Sequence, residues 1–291
     1  MRLDEKRSDE LSVDSIQHGN KRWWTENTMS YDWHGEIQFP RYSLEWFDAV
    51  DQGFLKGARL YGSDARPFDR IIPFGELVGK NVLEIGCGMG LHTELMTRAG
   101  AHVTAVDLSP TSVEATTRRL ALKGLKAKVI ESDAETLPFD AGSFDFVWSW
   151  GVIHHSSRTG RVVRQIARVL RPSGACRIMV YNRASSWAYS ILLRDHLLKG
   201  RFLRHSFEET LYRSSDGFSA RFYVQEQFED LCRSFFHDVS SEIMGQESDV
   251  VPLPRQLRNY ALRLLPESYL RRAQAKRGSF IFLTASRPLS A

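Results

Sequence analysis

The chain has 291 residues, is 42% hydrophobic and 25% charged, and carries a formal net charge of +4. That composition can bury a sizeable core, and no run approaches the ~18 apolar residues of a membrane-crossing helix. Three scattered cysteines, Cys87, Cys176 and Cys232, form neither a disulfide framework nor a Cys-x-x-Cys metal pair. Together with a charged N-terminus that lacks the apolar stretch of a secretory signal, they give the expectation of a cytoplasmic protein with reduced thiols.

In chain order, residues 1–20 read as a polar leader, loosely helical or disordered. An aromatic-rich stretch follows, with Trp23, Trp24, Tyr31, Trp33, Phe39, Tyr42, Trp46, Phe47 and Phe54. Trp and Tyr bring both contact area and a polar handle, so this stretch reads as a cap over a cleft or as cover for a sheet edge. Trp24, Tyr31 and Trp33 are the candidate substrate-binding residues of such a cleft. From Lys80 strands and helices alternate. Strands are expected at 81–85, 101–106, 126–131, 144–150 and 175–181, with helices at 91–99, 109–123 and 159–170. Such alternation predicts right-handed βαβ units and a parallel sheet. After Tyr181 the rhythm breaks. One or two helices are expected in 182–217, an amphipathic helix at 224–235, a strand at 238–244, a proline-punctuated insertion at 246–277 and a last strand at 279–286. The chain thus divides into a leader and aromatic cap (1–78), a cofactor-binding core (79–182) and a remainder (183–291) with substrate-side insertions at 183–217 and 246–278.

Charge is uneven along the chain. Residues 1–157 hold 17 Lys and Arg against 23 Asp and Glu, and residues 158–291 hold 22 against 12. A basic half suits an anionic partner or a solvated face.

The densest chemical signal is Val82–Gly90, VLEIGCGMG: an apolar strand, glycines at 86, 88 and 90, and then a helix. Glycine is needed where backbone turns sharply or approaches a ligand closely, and the helix start adds free N–H groups. The spacing is GxGxG, with Leu91 where the dinucleotide fingerprint has its third glycine. Asp107 ends the second strand, where a carboxylate can accept ribose hydroxyls. Asp133, just past the third strand, can accept an exocyclic amine such as that of adenine.

VLEIGCGMG, AVDLSP, ESDAETLPF, FDFVWSWGVIHH and ARVLRPSGACRIMVY resemble successive motifs of the class I S-adenosylmethionine-dependent methyltransferases, in particular the type-11, ubiquinone-biosynthesis-like group. The resemblance covers about residues 80–181. It implies a doubly wound, seven-stranded, mostly parallel Rossmann-like sheet whose last strand runs antiparallel beside the fifth, and S-adenosyl-L-methionine as cofactor. It further implies a cofactor set of Glu84, Gly86, Cys87, Gly88, Gly90, Asp107, Leu108, Asp133, Ala134 and Trp150. The glycines would cradle the methionine end, Asp107 the ribose and Asp133 with Ala134 the adenine. Leu108 would press on the adenine face, and Trp150 or Ser149 would lie beside the cofactor.

Methyl transfer from a sulfonium is an in-line displacement in which protein supplies alignment and dryness. A base is needed only for a weakly nucleophilic acceptor. His154 and His155, just after the fourth strand, are the candidate catalytic pair, with Tyr31, Asp32 and His34 as further candidates; a brace for the loop is the alternative role of the pair. No metal is expected. The apolar, basic cap and insertions suit a small-molecule acceptor, oxygen being the expected methylated atom, and neither nucleic acid nor stable membrane insertion is expected. Oligomeric state is not legible. The alternatives are a non-methyl enzyme on the same fold, or a methyltransferase acting on a lipid-linked or envelope polysaccharide precursor. The basic amphipathic segment 192–207 reads as a lid helix, with a membrane-surface helix as its alternative.

Overall fold

The structure is a computed structural model that describes residues 12–30, 32, 36–63, 65–251 and 255–289. Its centre is one sheet. Five strands are parallel: β1 (Asn81–Ile85), β2 (His102–Asp107), β3 (Lys128–Glu131), β4 (Phe144–Trp150) and β5 (Leu170–Asn182). A two-residue β6 (Phe222–Tyr223) joins β5 in parallel, β7 (Phe236–Met244) forms the far edge, and β8 (Phe280–Pro288) inserts antiparallel between β5 and β7. The order is β3-β2-β1-β4-β5-β8-β7, with β6 off this path. The seven strands and the antiparallel last strand are as expected, and β6 makes an eighth that two residues are too few to announce.

Eleven α-helices are present among the described residues: α1 (Val13–Glu26), α2 (Leu44–Gly57), α3 (Leu91–Arg98), α4 (Pro110–Leu122), α5 (Thr159–Val169), α6 (Ser186–Ile191), α7 (Phe207–Arg213), α8 (Gln225–Arg233), α9 (Glu247–Val250), α10 (Arg255–Leu264) and α11 (Glu267–Arg277). Helix α6 runs on as a π-helix, Leu192–Leu198. The local chemistry is visible at α4, where Ser109 caps the N-terminus by accepting from the Ser112 N–H and Pro110 takes the first turn.

Both faces of the sheet are covered, so the central strands read as near-continuous apolar runs. On one face Leu83, Ile85, Val147 and Ile178 meet α5 and α8 through Val162, Ile166, Phe228 and Cys232. On the other, Val82, Trp148, Met179 and Phe282 meet Tyr61, Phe68, Ile71, Ile72 and Met96. The segment between cap and core is therefore a structural layer of the domain.

Two details go beyond the expectations. The described part of the leader takes the helical alternative, as α1 from Val13, although its surface is largely polar. Residues 171–174, between the expected helix at 159–170 and the expected strand at 175–181, lie within β5 as a bulge: Phe144 pairs with Leu170 and Phe146 with Ala175, so four residues loop out of register. The strand order reverses between β1 and β4. Their helices leave for opposite faces there, and a crevice opens at the carboxyl ends of the strands.

Candidate functional site

A cavity of about 460 Å³ occupies that crevice, a size typical of small-molecule sites. Its floor is the turn after β1. Gly86 and Gly88 take φ of +82° and +53°, a region costly for residues with a Cβ. They differ in surroundings. A Cβ at Gly86 would stand 2.1 Å from Val152 Cγ2, whereas one at Gly88 would meet nothing within 4 Å. Gly86 is therefore required by packing, and Gly88 by the turn and by whatever approaches its bare backbone. Gly90, at φ +80°, is the N-cap of α3 and faces Thr116 and Arg119, away from the cavity lining.

Asp107 at the end of β2 lines the cavity. Its Oδ2 accepts the Gly88 N–H at 3.0 Å and its Oδ1 accepts the Ser109 N–H at 2.9 Å. Burial lifts this carboxyl above its ordinary range, and the two N–H donors oppose the rise. Leu108, Cys87, Asp133, Ala134 and Trp150 also line the cavity. Burial pushes the Cys87 thiol well up, so it is a packing residue and no nucleophile. Trp150 is clamped edge-on by Tyr61 and Phe68, with ring centroids 5.1 and 5.4 Å away. Glu84 lies beneath the floor, 1% exposed, where it accepts from Thr93 Oγ1 and is absent from the cavity lining.

The two histidines part company. His155 lines the cavity, and its Nδ1–H donates to the Ser219 carbonyl at 2.5 Å. A carbonyl only accepts, so Nδ1 carries the proton and Nε2 is the basic nitrogen of that tautomer. His154 is fully buried outside the cavity lining. Neither of its ring nitrogens has a hydrogen-bond partner among the described residues, and its ring lies 3.9 Å from that of Tyr181. Burial and then His155 hold its pKa well below the usual value, so it stays neutral. The loop carrying the pair is fixed by Glu135, whose Oε1 accepts from Ser156 Oγ and Ser157 Oγ, both at 2.7 Å, and from the Arg158 N–H at 2.9 Å.

Helix α1 roofs the site. Gln17 Nε2 donates to Asp133 Oδ1 at 3.0 Å, and Asn20 Nδ2 donates to the His155 carbonyl at 2.6 Å. Ser109 Oγ donates to the Trp24 carbonyl at 3.1 Å. Trp24 lines the cavity and meets the His155 ring edge-on at 5.0 Å. Tyr31, Trp33 and His34 lie outside the described residues. Asp32 accepts the Glu36 N–H at 2.6 Å and so caps a local turn.

A further part of the lining is formed by Met179, Tyr181, Asp216 and Phe280, none of them among the expected site residues. Tyr181 Oη donates to Asp216 Oδ1 at 2.7 Å. Tyr181 closes the motif ARVLRPSGACRIMVY, which assigned it no role, and Asp216 carried no sequence signal. The site thus combines a carboxylate floor suited to hydroxyls and amines with an aromatic wall and a histidine.

A family model described as "Methyltransferase domain", type 11, matches residues 83–178. Two curated relatives are ubiquinone biosynthesis O-methyltransferases. That of Methylocella silvestris is 30% identical over 55% of this chain and 63% of its own length, and that of Aromatoleum aromaticum is 34% identical over 42% and 53%. The chain thus spans less than two thirds of these relatives. Among solved structures, an S-adenosylmethionine-dependent methyltransferase from Mesorhizobium loti superposes with a TM-score of 0.52 at 19% identity, over 78% of this chain and all of that one; this likeness concerns the fold.

Proposed function

We propose that this chain, whose residues 83–178 are a class I methyltransferase domain of type 11, transfers a methyl group from S-adenosyl-L-methionine to an oxygen of a small-molecule acceptor. The observation that carries the reading is the Asp107 carboxylate, held on the cavity wall by the Gly88 and Ser109 N–H groups beside a glycine whose missing Cβ leaves room. The residues fit the cofactor. Asp107 would accept the ribose hydroxyls, Asp133 the adenine amine, Leu108 and Ala134 would flank the ring, and Gly86–Gly88 would receive the methionine end. The bound cofactor would supply a sulfonium-activated methyl group.

The chain's own residues have three tasks. Helix α1 closes the cleft over Asp133 and His155 and excludes water through Gln17, Asn20 and Trp24. The wall of Met179, Tyr181 and Phe280 orients an acceptor with an apolar body. His155 takes the acceptor's proton on Nε2, since Nδ1 is committed to Ser219, while buried His154 packs behind Tyr181. The curated relatives, named O-methyltransferases, support oxygen as the acceptor atom.

The test incubates the protein with small-molecule extract and methyl-labelled cofactor and reads labelled products by mass spectrometry. A labelled metabolite that reverts to its precursor on ether or ester cleavage is expected. Absence of label, or label confined to carbon or nitrogen, would overturn the reading.

A further inference from the structure

The segment after α6 is built unlike the rest of the surface. Within the π-helix Leu192–Leu198 and the 3-10 turn Arg201–Leu203, five large apolar side chains face outward. Leu198 and Leu203 are 77% and 76% exposed, and Leu193, Leu197 and Phe202 are about half exposed. A run of this size is more than scattered surface apolarity explains. Cations are interleaved with it: residues 193–205 carry Arg194, Lys199, Arg201 and Arg204 against one acid, Asp195. That acid points inward. It is 3% exposed and accepts from Arg194 Nη2 and Lys199 Nζ, both at 2.6 Å, while those two cations remain more than half exposed. The buried carboxylate thereby holds two cationic side chains at the rim of the apolar strip.

A second strip has the same chemistry. Leu257, Tyr260 and Leu264 of α10 and Tyr269 of α11 are all more than half exposed, and residues 255–277 hold seven Lys and Arg against one Glu. The short helix α9 packs against both α6 and α11, and Gln246, which caps it, lines the cavity. Helices α6 and α11, which adjoin the first strip and carry part of the second, thus meet α9 next to a residue of the cavity lining.

We infer that this apolar and basic face docks the protein on an anionic lipid surface, with Leu198, Phe202 and Leu203 entering the interface and Arg201 and Arg204 meeting the headgroups. No helix among the described residues is long and apolar enough to cross a membrane, so the contact is peripheral. Apolar side chains give depth, and cations give selectivity for negative lipid. This inference does not depend on the reaction proposed above.

The full chain is sedimented with vesicles of phosphatidylcholine alone and with vesicles that also contain phosphatidylglycerol. Binding to the anionic vesicles, weakened by salt, is expected. L198S/L203S should weaken it by on the order of a hundredfold, and R201E/R204E by about thirtyfold. Leu198, Leu203 and Arg204 are exposed and Arg201 is partly so, all outside the cavity lining, so circular dichroism and calorimetric cofactor affinity should stay unchanged. No binding to anionic vesicles, equal binding to both vesicle types, or binding indifferent to L198S/L203S would overturn the inference. So would a dimer in analytical ultracentrifugation that L198S/L203S dissolves, which would assign the face to a second copy of the chain.

Discussion

Replacing Glu84 with glutamine should remove a loss of stability that the native protein suffers as pH rises. Glu84 sits in β1, and burial drives its carboxyl up to about 8, the hydrogen bond from Thr93 opposing the rise. His92 Nδ1 lies 3.8 Å away, within ion-pair distance. Burial, and then Arg119, push that imidazole down to about 3, so at neutral pH the pair is an acid and a base that are both uncharged. The direction of the effect follows. In the unfolded chain the carboxyl loses its proton near its ordinary value of 4.5, whereas in the native state it holds the proton to about 8. Between those values the native state binds more protons, so stability that is complete below the lower value declines as pH rises through the window. Integrated over it, about 3–5 kcal/mol is lost by about pH 8. Glutamine keeps an oxygen for Thr93 and does not titrate. Urea unfolding of both proteins at about pH 5.5 and 8 reads the difference. The advantage of E84Q should grow by several kcal/mol from the lower pH to the higher. A difference that stays constant, or an E84Q protein that becomes relatively weaker at high pH, would mean that Glu84 is ionised in the fold.

Four further substitutions separate packing from binding. Gly88→Leu has room for its Cβ, so its positive φ should cost only ~1–2 kcal/mol, and the side chain should fill the cavity and abolish cofactor binding by calorimetry. Gly86→Leu, aimed at Val152, should instead lower the thermal midpoint sharply. Arg119 is fully buried and paired with Asp51 Oδ2 at 2.5 Å and Glu94 Oε2 at 2.7 Å, so Arg119→Met should cost about 3–5 kcal/mol by denaturant titration. Adding D51N and E94Q should restore most of that. His154→Phe exchanges a neutral ring with no polar partner for an apolar one, and should change stability by less than about 1.5 kcal/mol with turnover retained. Loss of turnover in a folded H154F protein would return His154 to the mechanism.

The legible part of the molecule was the part whose signal is local. Val82–Ile85, Phe144–Trp150 and the βαβ rhythm announce themselves because buried parallel strands must be apolar runs, and Ser109-Pro110 marks a helix start by its own chemistry. The antiparallel β8 was anticipated through the family resemblance. What escaped was held by distant polar contacts. Helix α1 is polar on the whole, and Gln17 and Asn20 hold it down through hydrogen bonds to Asp133 and the His155 carbonyl, more than 110 residues away in sequence. Tyr181 and Asp216 meet only because β5 and the segment after α7 converge. In sequence His154 and His155 are equivalent neighbours. The short 3-10 turn Ile153–His155 sends one ring into the core and the other to the cavity, a split that no adjacent pair reveals. Likewise Gly90 looks like its two companions but serves the packing of α3 and α4.

The most direct measurement is calorimetric titration of the protein with S-adenosyl-L-methionine, beside Asp107→Ala under the same conditions. A carboxylate that accepts two ribose hydroxyls predicts saturable one-to-one binding by the native protein and a loss of at least about a hundredfold in the variant, with the variant still folded by circular dichroism. Absence of binding to the native protein, or equal affinity in Asp107→Ala, would contradict the assignment of the cavity.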